Sequence, residues 1–130
     1  MFLPYTGHLN ALLRSLIINM LGHSGHEATV EECRRRFEAH CNGDSLITAD
    51  LRGAVYSTVM SHGDENTLNS MIELFRKSDH QEEKVRLMRC MGGSEHKHVI
   101  ANALKFAMSV RDFALCSLFV RCNSGLTRTL

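Results

Sequence analysis

The sequence predicts an all-α protein, and three observations carry that prediction. Apolar residues recur at steps of three and four along six separate stretches, so each set falls on one face of a helix. Glycine, serine and aspartate stop signals separate these stretches. Neither a period-two alternation nor a hairpin turn signature competes with them.

The first helix is expected from about Leu9 to Leu21. Leu9, Leu12, Leu13, Leu16, Ile17, Met20 and Leu21 give it a broad apolar face, and the usual burial of such residues assigns that face to the core. Gly22 stops the helix, and the segment to Gly25 is the turn. In the second helix Thr29 and Glu32, three apart, read as a capping box, with Glu31 and Glu32 at the positive end of the dipole. Val30, Cys33, Phe37 and Cys41 form its inner face, and Arg34, Arg35 and Glu38 lie largely opposite. Asn42-Gly43 ends it, since glycine readily takes the left-handed conformation common at helix C-termini.

A third helix restarts near Thr48, carries Leu51, Val55 and Val59 as its stripe, and stops at His62-Gly63-Asp64. Asp64 or Asn66 caps the fourth, whose face is Leu68, Met71, Ile72 and Phe75 and which Ser78-Asp79 breaks. The fifth runs from about Gln81 to Met91, with Val85, Met88 and Met91 inward and Glu82, Glu83, Lys84 and Arg86 outward, before Gly92-Gly93. The sixth, from about His96 to Met108, buries Val99, Ile100, Ala103, Leu104 and Ala107. Beyond it, Val110, Phe113, Ala114 and Ser117 can form one more face ahead of a polar tail. Short helices joined by short turns favour antiparallel pairs stacked as in an α-solenoid. No clean repeat links one pair to the next, so a compact bundle stays open.

Bulk properties exclude several classes. At 130 residues the chain is one domain's worth. A formal net charge of +1 implies no special attraction to nucleic acid or an anionic membrane. Five cysteines without CxxC spacing argue for free thiols in a reducing compartment, which points to the cytoplasm. The start MFLPYTGHLN lacks the basic opening and long apolar run of a signal peptide. No segment approaches the roughly 20 apolar residues of a membrane span.

One resemblance goes further than these properties. Gly7-His8-Leu9, Leu12-Leu13-Arg14, Gly25-His26, Glu31-Glu32 and Arg34-Arg35-Arg36-Phe37 follow one another in a single register. Ala49-Asp50-Leu51-Arg52, Val55-Tyr56, His62-Gly63-Asp64 and Gln81-Glu82-Glu83-Lys84 continue it. Together they resemble the C-terminal region of the puromycin-sensitive type of M1 zinc aminopeptidase, over roughly residues 7–109, with 110–130 departing from the pattern. The resemblance implies a single helical domain, part of a larger C-terminal one, built as a partial HEAT-like stack. It also implies partners: the catalytic domain of the parent enzyme, and its peptide substrates.

The catalytic signature of that family is absent. An HExxH motif on a helix supplies two zinc ligands and a general base. Here His26-Glu27 is followed by Ala28, Thr29 and Val30, with no second histidine, and the GAMEN sequence that holds the substrate's amino terminus is missing. Catalytic, cofactor and metal residues are therefore expected to be none in this chain, with zinc belonging to the parent's catalytic domain. His23 with His26, and His96 with His98, fall short of a four-ligand zinc site. The cysteines lie in apolar stripes, where they act as small hydrophobes. Arg34, Arg35 and Arg36, among Glu31, Glu32 and Glu38, read as a salt-bridged solvent face and not as a nucleic-acid site.

Asp50, Arg52 and Tyr56 are the positions where function and structure compete. They could turn a polar surface toward a peptide cavity. Capping by Asp50 and inter-helix hydrogen bonds from Arg52 or Tyr56 explain the same residue types and are preferred. The expected role is that of a non-catalytic region capping the active-site cavity and shaping peptide access. The alternative is a stand-alone helical interaction or regulatory protein derived from such an enzyme. A helical stack cut in mid-array exposes an apolar face. Self-association or partner binding is thus expected around Leu9 to Leu21 or Val110 to Val120.

Overall fold

Each of the six predicted helices is present in the computed structural model, which describes residues 7–110. They are α1 (His8–His23), α2 (Glu27–Asn42), α3 (Ala49–Ser61), α4 (Glu65–Lys77), α5 (Gln81–Met91) and α6 (Lys97–Ser109). No strand occurs among the described residues. The further helix and polar tail expected beyond Val110 fall outside them. Two units divide the chain, Met1–Val59 and Met60–Leu130, and α3 crosses the boundary.

In the first unit α2 begins two residues before the expected cap. His26 occupies the cap position, and Thr29 sits inside the first turn with its hydroxyl 2.8 Å from His26 Nδ1. Glu32 bonds Arg35 and Arg36 instead of the backbone, so the capping box does not form. Gly43 ends α2 at φ 82°, and its N–H reaches back to the Ala39 and His40 carbonyls, as the Asn42-Gly43 pair predicts. Val30, Cys33 and Phe37 are buried as expected. His40 takes the fourth inward place, while Cys41 is only half-buried.

The face of α1 is turned the other way from the prediction. Leu9, Leu12, Leu13, Leu16, Ile17, Met20 and Leu21 are all exposed. The covered side carries Ala11, Arg14, Ser15, Ile18 and Asn19, with Gly22 fully buried. The cause is local. A Cβ on Gly22 would lie 2.2 Å from Thr58 Oγ1 and 2.9 Å from Thr58 Cβ, so glycine lets α1 and α3 touch along their small and polar side. His23 Nε2 lies 3.2 Å from the Ser57 hydroxyl beside this contact.

Gly22→Ala should therefore destabilise the chain by about 1–3 kcal/mol, because overpacking exceeds the helix-propensity gain of alanine. Thr58→Ala should recover much of that loss when combined with it, giving a clear coupling in a double-mutant denaturation cycle. Additive losses would mean that the close approach is not what glycine serves.

The second unit follows the sequence more closely. Asp64 caps α4, accepting the Thr67 N–H at 3.3 Å. Helices α4, α5 and α6 pack on one another, and Leu68, Met71 and Phe75 of α4, Leu87, Met88 and Met91 of α5 and Val99, Ala103 and Ala107 of α6 are buried. Phe75 and Phe106 pack edge to face with centroids 5.4 Å apart. Lys84 Nζ lies 5.6 Å over the Phe75 ring and the Arg76 guanidinium 5.9 Å over that of Phe106. Ser94, fully buried, donates to the Gly63 carbonyl at 3.3 Å and accepts the His96 N–H at 3.2 Å, tying two turns together.

The division of α5 into inner and outer sides needs one revision. Val85 is half-buried, and Leu87 and Cys90 join the core. Glu83, Lys84 and Arg86 are also half-buried, because Glu83 pairs with Arg86 and Lys84 lies against Phe75.

Candidate functional site

A buried polar cluster of the first unit lies where α2, the loop after it and α3 meet. Tyr56 on α3 is fully buried, and its hydroxyl sits 3.0 Å from His40 Nε2. Across the same ring, the Ile47 N–H donates to His40 Nδ1 at 3.2 Å. An Nδ1 that accepts leaves Nε2 as the N–H, so the imidazole is neutral and donates toward Tyr56. Arg52 Nε donates to the Ile47 carbonyl at 2.8 Å from the other side of the loop. Phe37 closes the cluster with its ring edge-on to Tyr56 at 5.9 Å.

Two of the three watched residues thus hold the fold. Tyr56 and Arg52 clamp the α2–α3 loop through hydrogen bonds, as the packing interpretation expects. Asp50 lies exposed in the first turn of α3, one position inside the helix, so it does not cap it. His40 is the residue that sequence reasoning missed, since the i, i+4 step from Phe37 pointed to its neighbour Cys41.

A groove of about 470 Å³ opens in the same unit, within the size range of small-molecule pockets. Arg14, Glu32, Arg36 and Thr29 line it together with Ile18, Ala28, Cys33, Leu51 and Val55. Its residues come from three helices without a local motif, which is why no spacing rule finds it. Glu32 accepts two bonds from Arg35, at 2.9 Å and 2.5 Å, and a third from Arg36 Nε at 2.8 Å. Arg35 and Arg36 of the triplet are therefore salt-bridged on an exposed face, as expected.

Those charge-assisted bonds, first from Arg35 and then from Arg36, pull the Glu32 carboxyl from 4.5 down to about 2. The lower value belongs to the folded chain, so the pairing contributes above pH 4.5 and is lost as pH falls from 4.5 through about 2. The Glu32 carboxylate signal in an NMR titration should accordingly turn over near pH 2, with little effect on global stability because the pair faces solvent. A midpoint at the ordinary glutamate value would contradict the bidentate geometry.

Burial pushes the Cys33 thiol up from its ordinary value despite a hydrogen bond with Thr58, so it is held as a thiol and not as the nucleophilic thiolate. Among the described residues no three histidine, cysteine or acidic side chains converge to hold a metal ion. His96 and His98 stand 5.7 Å apart by ring centroid without a third ligand. The zinc implied by the sequence resemblance therefore has no fit to these residues. No described helix is long and apolar enough to cross a membrane.

A family model, the ERAP1-like C-terminal domain, matches residues 3–126. The chain belongs to this family. Aminopeptidase M1-C of Oryza sativa subsp. japonica is 32% identical over 112 residues, covering 81% of this chain. Aminopeptidase M1-A of the same rice is 31% identical over 79% of the chain, and aminopeptidase M1 of Arabidopsis thaliana 29% over 78%. This ERAP1-like domain corresponds to only 12–13% of the length of those relatives. It is a C-terminal region of the M1 aminopeptidase type, as the sequence resemblance implies, and the family match runs past Val110 to residue 126.

Proposed function

We propose that this chain acts as the non-catalytic C-terminal helical region of a puromycin-sensitive-type M1 zinc aminopeptidase. It stacks its helices in a HEAT-like manner, closes over the cavity of a separate catalytic domain and governs which peptides enter. The family match over residues 3–126 carries this reading. The described residues are in keeping with it, since their polar clusters clamp loops and pair charges.

Zinc and peptide-bond hydrolysis reside in the catalytic domain, which supplies the metal ligands and the general base. This chain contributes surface and shape. Five cysteines without CxxC spacing suit a reducing cytoplasmic setting.

The test is direct. The purified 130-residue chain should bind no stoichiometric zinc and hydrolyse no aminoacyl substrate. Turnover that stays in constant ratio to the polypeptide through successive columns would overturn the proposal.

A further inference from the structure

Among the described residues His40 is the one buried histidine, at 9% exposed. Its two ring nitrogens serve different partners. The Ile47 N–H donates to Nδ1 at 3.2 Å, and the Tyr56 hydroxyl lies 3.0 Å from Nε2. A backbone N–H donates and never accepts, so the Ile47 contact exists only while Nδ1 carries no proton. Protonation there breaks the bond and sets one buried donor against another, which is costly for both.

The surroundings act in the same direction. On α3 the Arg52 Nε donates to the carbonyl of the same Ile47 at 2.8 Å, and this fixed cation disfavours a second positive charge beside it. Tyr56, fully buried on α3, occupies the other ring nitrogen. Asp50 on α3, Asp44 in the loop, and Arg36 and Glu38 on α2 are exposed, where solvent and salt screen them. A histidine in water takes its proton at about pH 6.5. Below that pH the open loop therefore binds one proton more than the closed loop, and acid favours opening. Above it the difference vanishes and the closed state keeps its full stability.

We propose that His40 is an acid-sensitive latch: it holds the loop between α2 and α3 closed while neutral and releases it on taking a proton. Ile47, 5% exposed, is the buried anchor of that loop, and Leu46 beside it is already 70% exposed. Release therefore uncovers an adjacent apolar pair. The proposal concerns the first unit alone and does not rest on the aminopeptidase role proposed above.

Amide exchange of the full 130-residue chain reads the latch, followed by NMR from about pH 7.5 to about pH 5 and corrected for each amide's intrinsic rate. Protection at residues 44–48 should hold constant above about pH 6.5 and fall about tenfold per pH unit below it. Protection in α5, which belongs to the second unit, should stay level. His40→Gln offers an amide oxygen and an NH2 group to the same two partners without titrating, and its loop should lose the pH dependence. The wild-type ring gives an independent reading. Its nitrogen signals should show a bare Nδ1 at neutral pH and protonate only as loop protection is lost. Level loop protection in the wild type overturns the proposal, as does an equal fall in His40→Gln or in α5. A ring protonated inside a closed loop also overturns it.

Discussion

His40→Leu should destabilise the first unit by about 2 kcal/mol or more, since it leaves both the Ile47 N–H and the Tyr56 hydroxyl buried without this partner. Leucine fills similar volume, so the loss reads the hydrogen bonds and not a cavity. Tyr56→Phe removes one of the two contacts and should cost roughly half as much. Chemical denaturation followed by circular dichroism orders the two variants. A His40→Leu protein as stable as wild type would mean that the ring merely fills space between α2 and the loop. The Ile47–Arg52 contact should loosen in the same variant, visible as faster amide exchange at residues 44–48.

Phe75→Ala should have the largest effect of any single change, about 3–5 kcal/mol. Phe75 is 7% exposed and lies on α4, which packs on α5 and α6. Its loss also removes the edge-to-face contact with Phe106 and the ring beneath Lys84. In a chain whose total stability is on the order of 10 kcal/mol, the melting temperature should fall by on the order of 10 °C or more. Phe75→Leu, which retains apolar volume, should recover most of it. Equal losses for alanine and leucine would shift the weight to the aromatic contacts themselves.

The two units differ in how far their sequences disclose them. In the second, local signals and packing agree: Asp64 caps, Ser78 stops α4, and Leu68, Met71, Met88, Met91 and Val99 all lie inside as their spacing predicts. In the first, packing outweighs local signals twice. Thr29 and Glu32 have the spacing of a capping box, but His26 occupies the cap and Arg35 and Arg36 capture the carboxylate. The leucines of α1 have the periodicity of a core stripe, yet Gly22 and Thr58 bring the opposite side of the helix inward. Periodicity identifies a face without saying which neighbour it meets.

The His40–Tyr56 clamp was only half legible. Tyr56 stood out as a tyrosine in a predicted helix, but its partner His40 lies 16 residues away and no local pattern marks that distance. The groove lined by Arg14, Glu32 and Arg36 is of the same kind, assembled from separate helices. Membership of the M1 aminopeptidase C-terminal family, by contrast, was readable from many small matches in one register, and the match over residues 3–126 agrees with it.

The central claim is that this region shapes peptide access while catalysis lies elsewhere. The most direct test replaces the matching C-terminal segment of rice aminopeptidase M1-C with residues 3–126 of this chain. Hydrolysis is then measured across a series of peptides of increasing length. The chimera should retain zinc and cleave a single aminoacyl substrate at near the parent's rate, while its preference along the peptide series shifts. A folded, zinc-loaded chimera with the parent's unaltered length profile would contradict the account, because the region would then be structural filling and not a gate.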